Sequence, residues 1–483
     1  MVFKRFTIKG EKEQNSSHSQ VTFVSVIKIT LNRQENLYMP SKNHYNVTEW
    51  PIGNPYEDIG EVINSIIADI KKRQTNKDEN KGGKPGAVIY IPPGDYHLST
   101  QVMIDISFLK IMGAGHGFTS SSIRFNTPEE EWADLHELWP GGSRILVDLP
   151  LEEDDEEHKG AAFYVERSGN PRISSVEFSD FCIDGLHFIE DGSGMTNPEN
   201  TYTNGKTGIY VASACDSFRI TGMGFVYLEH GITIYHADAL SIHNNFIAEC
   251  GNCIELRGWG QASKITDNLI GAGFKGYSIY AENFGGLLIT ANNIFPRGAS
   301  SICLDGVTRS SITNNRLHSF YPGMVVLKRN CSENLVSSNH FLRDHEPWTP
   351  FVNIDNGLDD LYGLLYISGH HNSVVGNHFS EVIHNIKPKG ATPVIIRIVS
   401  GNGNYISTNH VVATEVHANT SDSCYDAQVE ALLTTEAAEP LTVTTVLVEK
   451  ESLQNIILDS GNDAQVVMDR TVNAFRATPV PRA

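Results

Sequence analysis

Apolar residues recur along this chain in short runs separated by Asn, Gly and Ser. The motif apolar-x-x-Asn appears as Ile242-His-Asn-Asn245, Ile265-Thr-Asp-Asn268, Ile289-Thr-Ala-Asn292 and Ile312-Thr-Asn-Asn315. It continues as Val336-Ser-Ser-Asn339, Val374-Val-Gly-Asn377 and Ile406-Ser-Thr-Asn409, so the Asn intervals are 23, 24, 23, 24, 38 and 32 residues. A second run accompanies most repeats: Gly208-Ile-Tyr-Val211, Gly231-Ile-Thr-Ile234, Cys253-Ile-Glu-Leu256, Ser278-Ile-Tyr280, Ser301-Ile-Cys-Leu304 and Met324-Val-Val-Leu327. A unit this short cannot bury its apolar face alone and must stack on its neighbours. The pattern therefore predicts an all-β fold, a right-handed parallel β-helix of the pectate-lyase-like kind. The recurrent Asn falls at a bend, where stacked side-chain amides can bond to one another along the axis.

One helix precedes the repeats. Ile59, Val62, Ile63, Ile66, Ile67 and Ile70 gather on one face over residues 58–74. Asp58 as N-cap with Glu61 three residues on resembles a capping box, and Lys71, Lys72 and Arg73 suit the negative end of the helix dipole. This helix belongs to an N-terminal cap, residues 41–86, covering the open end of the sheets. Residues 1–40 read as a disordered or over-extended N-terminal stretch, and 87–483 as the β-helix itself. Extra residues leave a solenoid only as loops. Four are expected, near 150–160, 190–205, 344–361 and 420–445.

Charge narrows the partners. Lys plus Arg number 37 and Asp plus Glu 57, a formal charge of −20, with no basic stripe. Phosphate recognition needs clustered cations, so neither nucleic acid nor an anionic membrane is expected as partner. The acidic run 152–157 reads as a solvated loop, and neither metal nor cofactor is expected. No apolar stretch approaches the roughly 18 residues of a membrane helix, and no secretory signal is recognisable, which points to the cytoplasm. Seven cysteines, an odd number spread along a long chain, read as buried thiols, Cys250 and Cys253 included.

Parallel β-helices suggest work on carbohydrate. Uronate elimination wants a carboxylate cluster and basic residues for a polyanion, which this chain lacks. Gly115-His-Gly117 and Asp359-Asp360 stand in the wrong order for polygalacturonase-like hydrolysis. The densest polar stretch runs from Gly222 to Glu255 and holds Glu229, His230, His236, Asp238, His243, Glu249 and Glu255. Asp216 and Asp238 each precede a repeat Ile by four residues, which stacks them on adjacent coils.

The strings Gly222-Met-Gly-Phe-Val-Tyr-Leu-Glu-His230, Ile247-Ala-Glu-Cys-Gly-Asn-Cys253, Asn292-Asn-Ile-Phe-Pro-Arg-Gly298, Phe320-Tyr-Pro-Gly-Met324 and Asn356-Gly-Leu-Asp-Asp-Leu-Tyr-Gly363 closely resemble inulin fructotransferases and the related difructose dianhydride III hydrolases. The resemblance runs from about Tyr45 to about Gly461. It implies a homotrimer with active sites at subunit boundaries, secretion as the alternative to a cytoplasmic location, and a catalytic pair eleven residues apart. That pair maps onto Asp238 in His236-Ala-Asp-Ala-Leu240 and Glu249 in Ile247-Ala-Glu-Cys250. The two are expected to face one furanose bond from a single rung, one as acid and the other as base. Glu249, with apolar Phe246 and Ile247 beside it, is the better candidate for the acid.

Inulin is uncharged, in keeping with a site that lacks a cationic patch. Aromatic and acidic residues expected to touch substrate are Glu229, Trp259, Tyr321, Trp348, Asp359 and Asp360, with Trp348 as a lid residue. The reaction expected is intramolecular fructosyl transfer releasing a difructose dianhydride from inulin. The alternatives are hydrolysis of dianhydride III to inulobiose and, from another class, a non-catalytic glycan-binding β-helix trimer.

Overall fold

The computed structural model describes residues 43–75, 85–117, 141–149, 158–167, 172–187, 203–272, 276–295, 300–344, 357–384, 392–416, 438–458, 465–468 and 475–477, all within the unit Pro40–Ala483. The acidic run 152–157, Trp348, the N-terminal stretch 1–40 and most of the four expected loops lie outside the described residues.

Each coil contributes strands to three long sheets, and five central coils add a short fourth strand at one corner. In one complete turn these are His230–Tyr235, Ala237–Asp238, Ser241–His243 and Phe246–Cys250, after which Asn252–Arg257 pairs back onto His230–Tyr235. Ser241–His243 belongs to a first sheet of 14 strands and Phe246–Cys250 to a second of 12. His230–Tyr235 belongs to a third sheet of 12, and Ala237–Asp238 to a short five-stranded strip at the corner between the third and first sheets. The pairings are parallel and advance one coil at a time, with one antiparallel exception, Ala438–Pro440 on His410–Val416. This is the parallel β-helix that the repeat predicts.

The repeat isoleucines explain the register. Ile220, Ile242, Ile265, Ile289, Ile312, Val336, Val374 and Ile406 are partners on successive strands of the first sheet and are buried. Slipping any strand by one residue would turn its stack member to solvent.

The bend residues form the expected ladder. Asn245, Asn268, Asn292, Asn315, Asn339, Asn377 and Asn409 are linked by side-chain bonds from Nδ2 to the next Oδ1 at 2.9–3.0 Å. Asn292 is representative: its Nδ2 also donates to Ile265 O at 3.0 Å, and its Oδ1 also accepts the Asn268 N–H at 3.1 Å. Two donors and two acceptors are thus all used, which is what permits a buried amide. A second ladder, unanticipated, joins Asn334, Asn372, Asn404 and Asn455 at 3.0–3.1 Å.

The helix runs Ile59–Thr75, with Ile59, Val62, Ile63, Ile66, Ile67 and Ile70 buried against the first strands. Asp58 caps it, its Oδ1 accepting the Gly60 N–H at 3.0 Å and those of Ser99 and Thr100 at 3.3 and 3.2 Å. The reciprocal half of the capping box is replaced: the Asp58 N–H donates to Asn54 O at 3.0 Å rather than to Glu61. Gly60 is obligatory, because a Cβ there would lie 1.8 Å from Thr100 O. Among the described residues no helix is long and apolar enough to cross a membrane. The six described cysteines are buried thiols outside any disulfide.

Candidate active site

Asp238 sits on the corner strip. Its register partners are Asp216 on one side and Gln261 on the other, so the stacking of Asp216 on Asp238 is as expected. Left-handed residues flank it, His236 at φ 58° and Ala239 at φ 52°, and these turn the chain through the corner. Arg172 Nη1 and Gln261 Nε2 both approach Asp238 Oδ2, at 3.4 and 3.2 Å. The Arg172 guanidinium also lies over the Trp259 ring, 5.3 Å from its centroid, and His236 packs on the same indole at 5.3 Å. Gly258, at φ 78°, makes room for that imidazole, which would lie 2.5 Å from a Cβ. Trp259 itself is 45% exposed. A carboxylate beside an exposed aromatic face is a common way to hold a sugar ring next to an acid or base.

Glu249 is the last residue but one of the strand Phe246–Cys250, at the opposite corner, between the second and third sheets. The pairing with Leu269–Ala272 slips between Ala248 and Cys250, so Glu249 is the extra residue of a β-bulge. Its φ is 52°. A non-glycine held left-handed in a bulge is strained, and such re-aimed residues gather near functional sites. Glu229 shares this corner: its Oε2 accepts the N–H groups of Asn204 and Gly205 at 3.0 and 2.7 Å.

These two corners bound the third sheet from opposite edges. Asp238 lies three residues past Tyr235, and Glu249 three residues before Asn252, the partner of His230. The six residues His230–Tyr235 span roughly 17 Å at the usual strand rise. The expectation that the pair faces one furanose bond from a single rung is therefore corrected: in one chain the carboxylates stand on opposite sides of a sheet. An eleven-residue spacing fixes the path along the coil but not the corner angles.

The remaining candidates separate. Trp259 joins Asp238 and Glu229 joins Glu249. Asp359 is not where a sugar contact was expected, because both its oxygens bind the buried Arg343, at 2.6 and 2.8 Å. Arg343 also approaches Glu381 at 3.4 Å and donates to Phe320 O at 3.1 Å, so this is an internal ion cluster. Tyr321 is corrected likewise, being 6% exposed. Asp360 is exposed, and its carbonyl accepts Arg397 Nη1 at 2.6 Å. Sequence reasoning missed Arg172 and Gln261. The 23-residue step from Asp238 to Gln261 could have revealed the latter, whereas nothing local marks Arg172.

A family model described as the β-helix repeat of inulin fructotransferase matches residues 338–479, and one described as periplasmic copper-binding protein (NosD) matches 152–350. Among the described residues no three His, Cys, Asp or Glu gather to hold a metal ion. The DFA-I-forming inulin fructotransferase of Arthrobacter globiformis is 47% identical over 377 residues, 76% of this chain and 89% of that protein. The chain belongs to the inulin fructotransferase family. Within that relationship, the crystal structure of DFA-IIIase from Arthrobacter chlorophenolicus A6 in complex with DFA-III is 73% identical. It has a TM-score of 0.83 and covers 92% of this chain and 100% of that one. The same enzyme in complex with GF2 gives 73% identity and a TM-score of 0.82, over 91% and 100%. Without its lid the figures are 69% and 0.77, again over 91% and 100%. Membership in this family makes the chain a fructan-active enzyme and removes the non-catalytic alternative.

Proposed function

We propose that the chain catalyses intramolecular fructosyl transfer, releasing a difructose dianhydride from the end of inulin. A hydroxyl of the terminal fructose attacks the anomeric carbon of its neighbour. The bond from that carbon to the rest of the chain breaks, and the departing oxygen takes a proton. No water is consumed. The β centre becomes α, a single inversion, which calls for one carboxylic acid and one carboxylate with the nucleophile between them. Asp238 suits the base: two donors converge on Oδ2, and Oδ1 remains to receive the hydroxyl proton. Glu249 then suits the acid. The observation that carries this reading is the corner where Asp238, Arg172, Gln261 and the exposed face of Trp259 meet.

Because Asp238 and Glu249 stand on opposite edges of the third sheet, the pair is completed between copies of the chain. Inverting pairs work at roughly 6.5–9.5 Å, far less than the width of a sheet. The outer face of the third sheet supports association, since Tyr280, Cys303 and Val326 form an apolar cluster there with Tyr277, Tyr362 and Tyr366. A homotrimer, as the family resemblance implies, gives each boundary one Asp238 and one Glu249. Mixed oligomers test this directly. Asp238→Asn and Glu249→Gln chains, each inactive, regain activity at about a quarter of their sites when co-assembled, by random cyclic pairing. No recovery removes the shared site.

A second reading, water opening dianhydride III to inulobiose, is favoured by the 73% identity to an enzyme solved with DFA-III, against 47% to the transferase. It uses the same two carboxylates with water as acceptor. Incubation with inulin and with dianhydride III separately, followed by chromatography, decides between them. Dianhydride from inulin supports transfer and inulobiose from dianhydride supports hydrolysis; no change in either substrate overturns both.

A further inference from the structure

A line of aromatic rings crosses the outer face of the third sheet to the Asp238 corner, and only its last member, Trp259, has a part in the chemistry above. Tyr164 and Tyr210 are register partners on adjacent strands. Tyr235 stands on the next strand, two residues beyond Thr233, the partner of Tyr210. The chain neighbours Phe163, Val165, Ile209, Val211 and Ile234 are buried in the core, so strand alternation turns the three tyrosines outward. The rings pack in sequence. Centroids lie 5.9 Å apart from Tyr164 to Tyr210, 5.7 Å from Tyr210 to Tyr235, 6.1 Å from Tyr235 to His236 and 5.3 Å from His236 to Trp259. The Arg172 guanidinium over Trp259 then joins the row to Asp238.

Exposure rises along the row. Tyr164 is buried, Tyr210, Tyr235 and His236 are half-buried, and Trp259 is 45% exposed. From Tyr210 to Trp259 the row climbs through three successive coils, a rise of roughly 10 Å at the usual strand spacing. More than one sugar ring fits along it. Inulin is a neutral polymer, and neutral sugars lay their apolar ring faces on aromatic ones. We propose that Tyr235 and Tyr210 continue the Trp259 platform as a binding track for the fructan chain beyond the two units that react. The acid and base of an inverting pair stand less than about 10 Å apart, so a chain departing from the bond between them starts within reach of Trp259. A second copy of the chain is the alternative cover for these rings. Continuity with the Asp238 corner favours the sugar, whereas the apolar cluster of Tyr280, Cys303 and Val326 is a separate group on later coils.

The inference rests on the fructosyl-transfer reading, and binding is measured apart from turnover so that the two fail separately. Inulin, and dianhydride III as a ligand that spans only the reacting units, are titrated by calorimetry into Asp238→Asn enzyme, where turnover is stopped. In that background Tyr235→Ala and Tyr210→Ala are each expected to weaken inulin about fivefold to tenfold, the worth of one aromatic contact, and to leave dianhydride III within about twofold. Tyr235→Phe keeps the ring and is expected to bind inulin as the parent does. Tyr235→Leu, with apolar bulk but no aromatic face, carries the test if Tyr235→Ala does not fold. Inulin that binds the parent no more tightly than dianhydride III overturns the track. Equal weakening of both ligands, unaltered inulin binding in both Ala variants, or a loss in Tyr235→Phe as large as in Tyr235→Ala overturns it as well. A changed oligomeric state in size-exclusion chromatography gives the rings to a subunit boundary and overturns it too. Wild-type enzyme that converts neither ligand removes the proposed reaction, while inulin binding that depends on the two tyrosines leaves the track standing.

Discussion

Arg172 reaches Asp238 Oδ2 at 3.4 Å while its guanidinium stacks over Trp259, 5.3 Å from the ring centroid. One side chain thus ties the carboxylate proposed as base to the exposed indole beside it. The pair is partly exposed, Arg172 by 39% and Asp238 by 25%, which limits its worth to stability. Its effect falls on catalysis. Arg172→Ala is expected to lower kcat/KM about tenfold to a hundredfold, the worth of a hydrogen bond to a charged group. Arg172→Lys is expected to recover only part, because an ammonium cannot both stack and donate in the plane. Steady-state kinetics on dianhydride III and inulin check this; wild-type values for the Ala variant would leave Arg172 without a role.

Glu249, the proposed acid, has a left-handed backbone at φ 52° in a bulge. A glycine carries that φ without strain, at a saving of about 1 kcal/mol. Glu249→Gly is therefore expected to unfold at the wild-type temperature or a few degrees higher while losing activity about 10²–10⁴-fold, as removal of a general acid should. Glu249→Gln is expected to lose as much activity with no change in Tm. A Gly variant that unfolds much earlier would mean the side chain holds the corner together.

The features legible in the sequence are those that every coil must repeat. Stacking demands the same residue at the same position, so the isoleucine stack and the Asn245–Asn409 ladder stand out as a period. The second ladder stayed hidden because loops stretch its steps to 38, 32 and 51 residues. Asp216 over Asp238 could be counted off the repeat. The separation of Asp238 from Glu249 could not, since corner angles belong to residues such as His236, Ala239 and Glu249 that take left-handed conformations without being glycine. Arg172 was equally illegible, as it meets Asp238 from 66 residues away. The sequence offers Asp359 as a substrate contact. Its partner Arg343 lies on the strand before the insertion, and only the fold brings the two together.

The ladder makes its own prediction. Asn292→Ala removes four hydrogen bonds and leaves the Asn268 amide and the Ile265 carbonyl buried without them. The expected loss is about 3 kcal/mol of unfolding free energy, as for other unsatisfied buried polar groups. Asn293→Ala, one residue on and exposed, is expected to cost within about 0.5 kcal/mol. Denaturant unfolding of both variants checks the contrast, and similar midpoints would remove the ladder as a source of stability.

A column of histidines sets a pH limit on the C-terminal coils. His340, His378 and His410 follow the ladder residues Asn339, Asn377 and Asn409 and are partners on adjacent strands. Their ring centroids lie 5.0 and 4.9 Å apart, and Arg316 pairs with His340 on the next coil. Burial first, then the neighbouring cations and imidazoles, depress His340 and His378 below the ordinary value of 6.5. The unfolded chain therefore binds protons at a pH where the folded one does not, and stability rises with pH in that window. It is fully present above about pH 6.5 and is lost as pH falls from there towards the depressed folded values. His378→Gln, which takes the middle imidazole out of the stack, is expected to flatten the fall. Thermal unfolding from pH 8 to pH 5 measures both chains, and parallel curves would show that the acid sensitivity arises elsewhere.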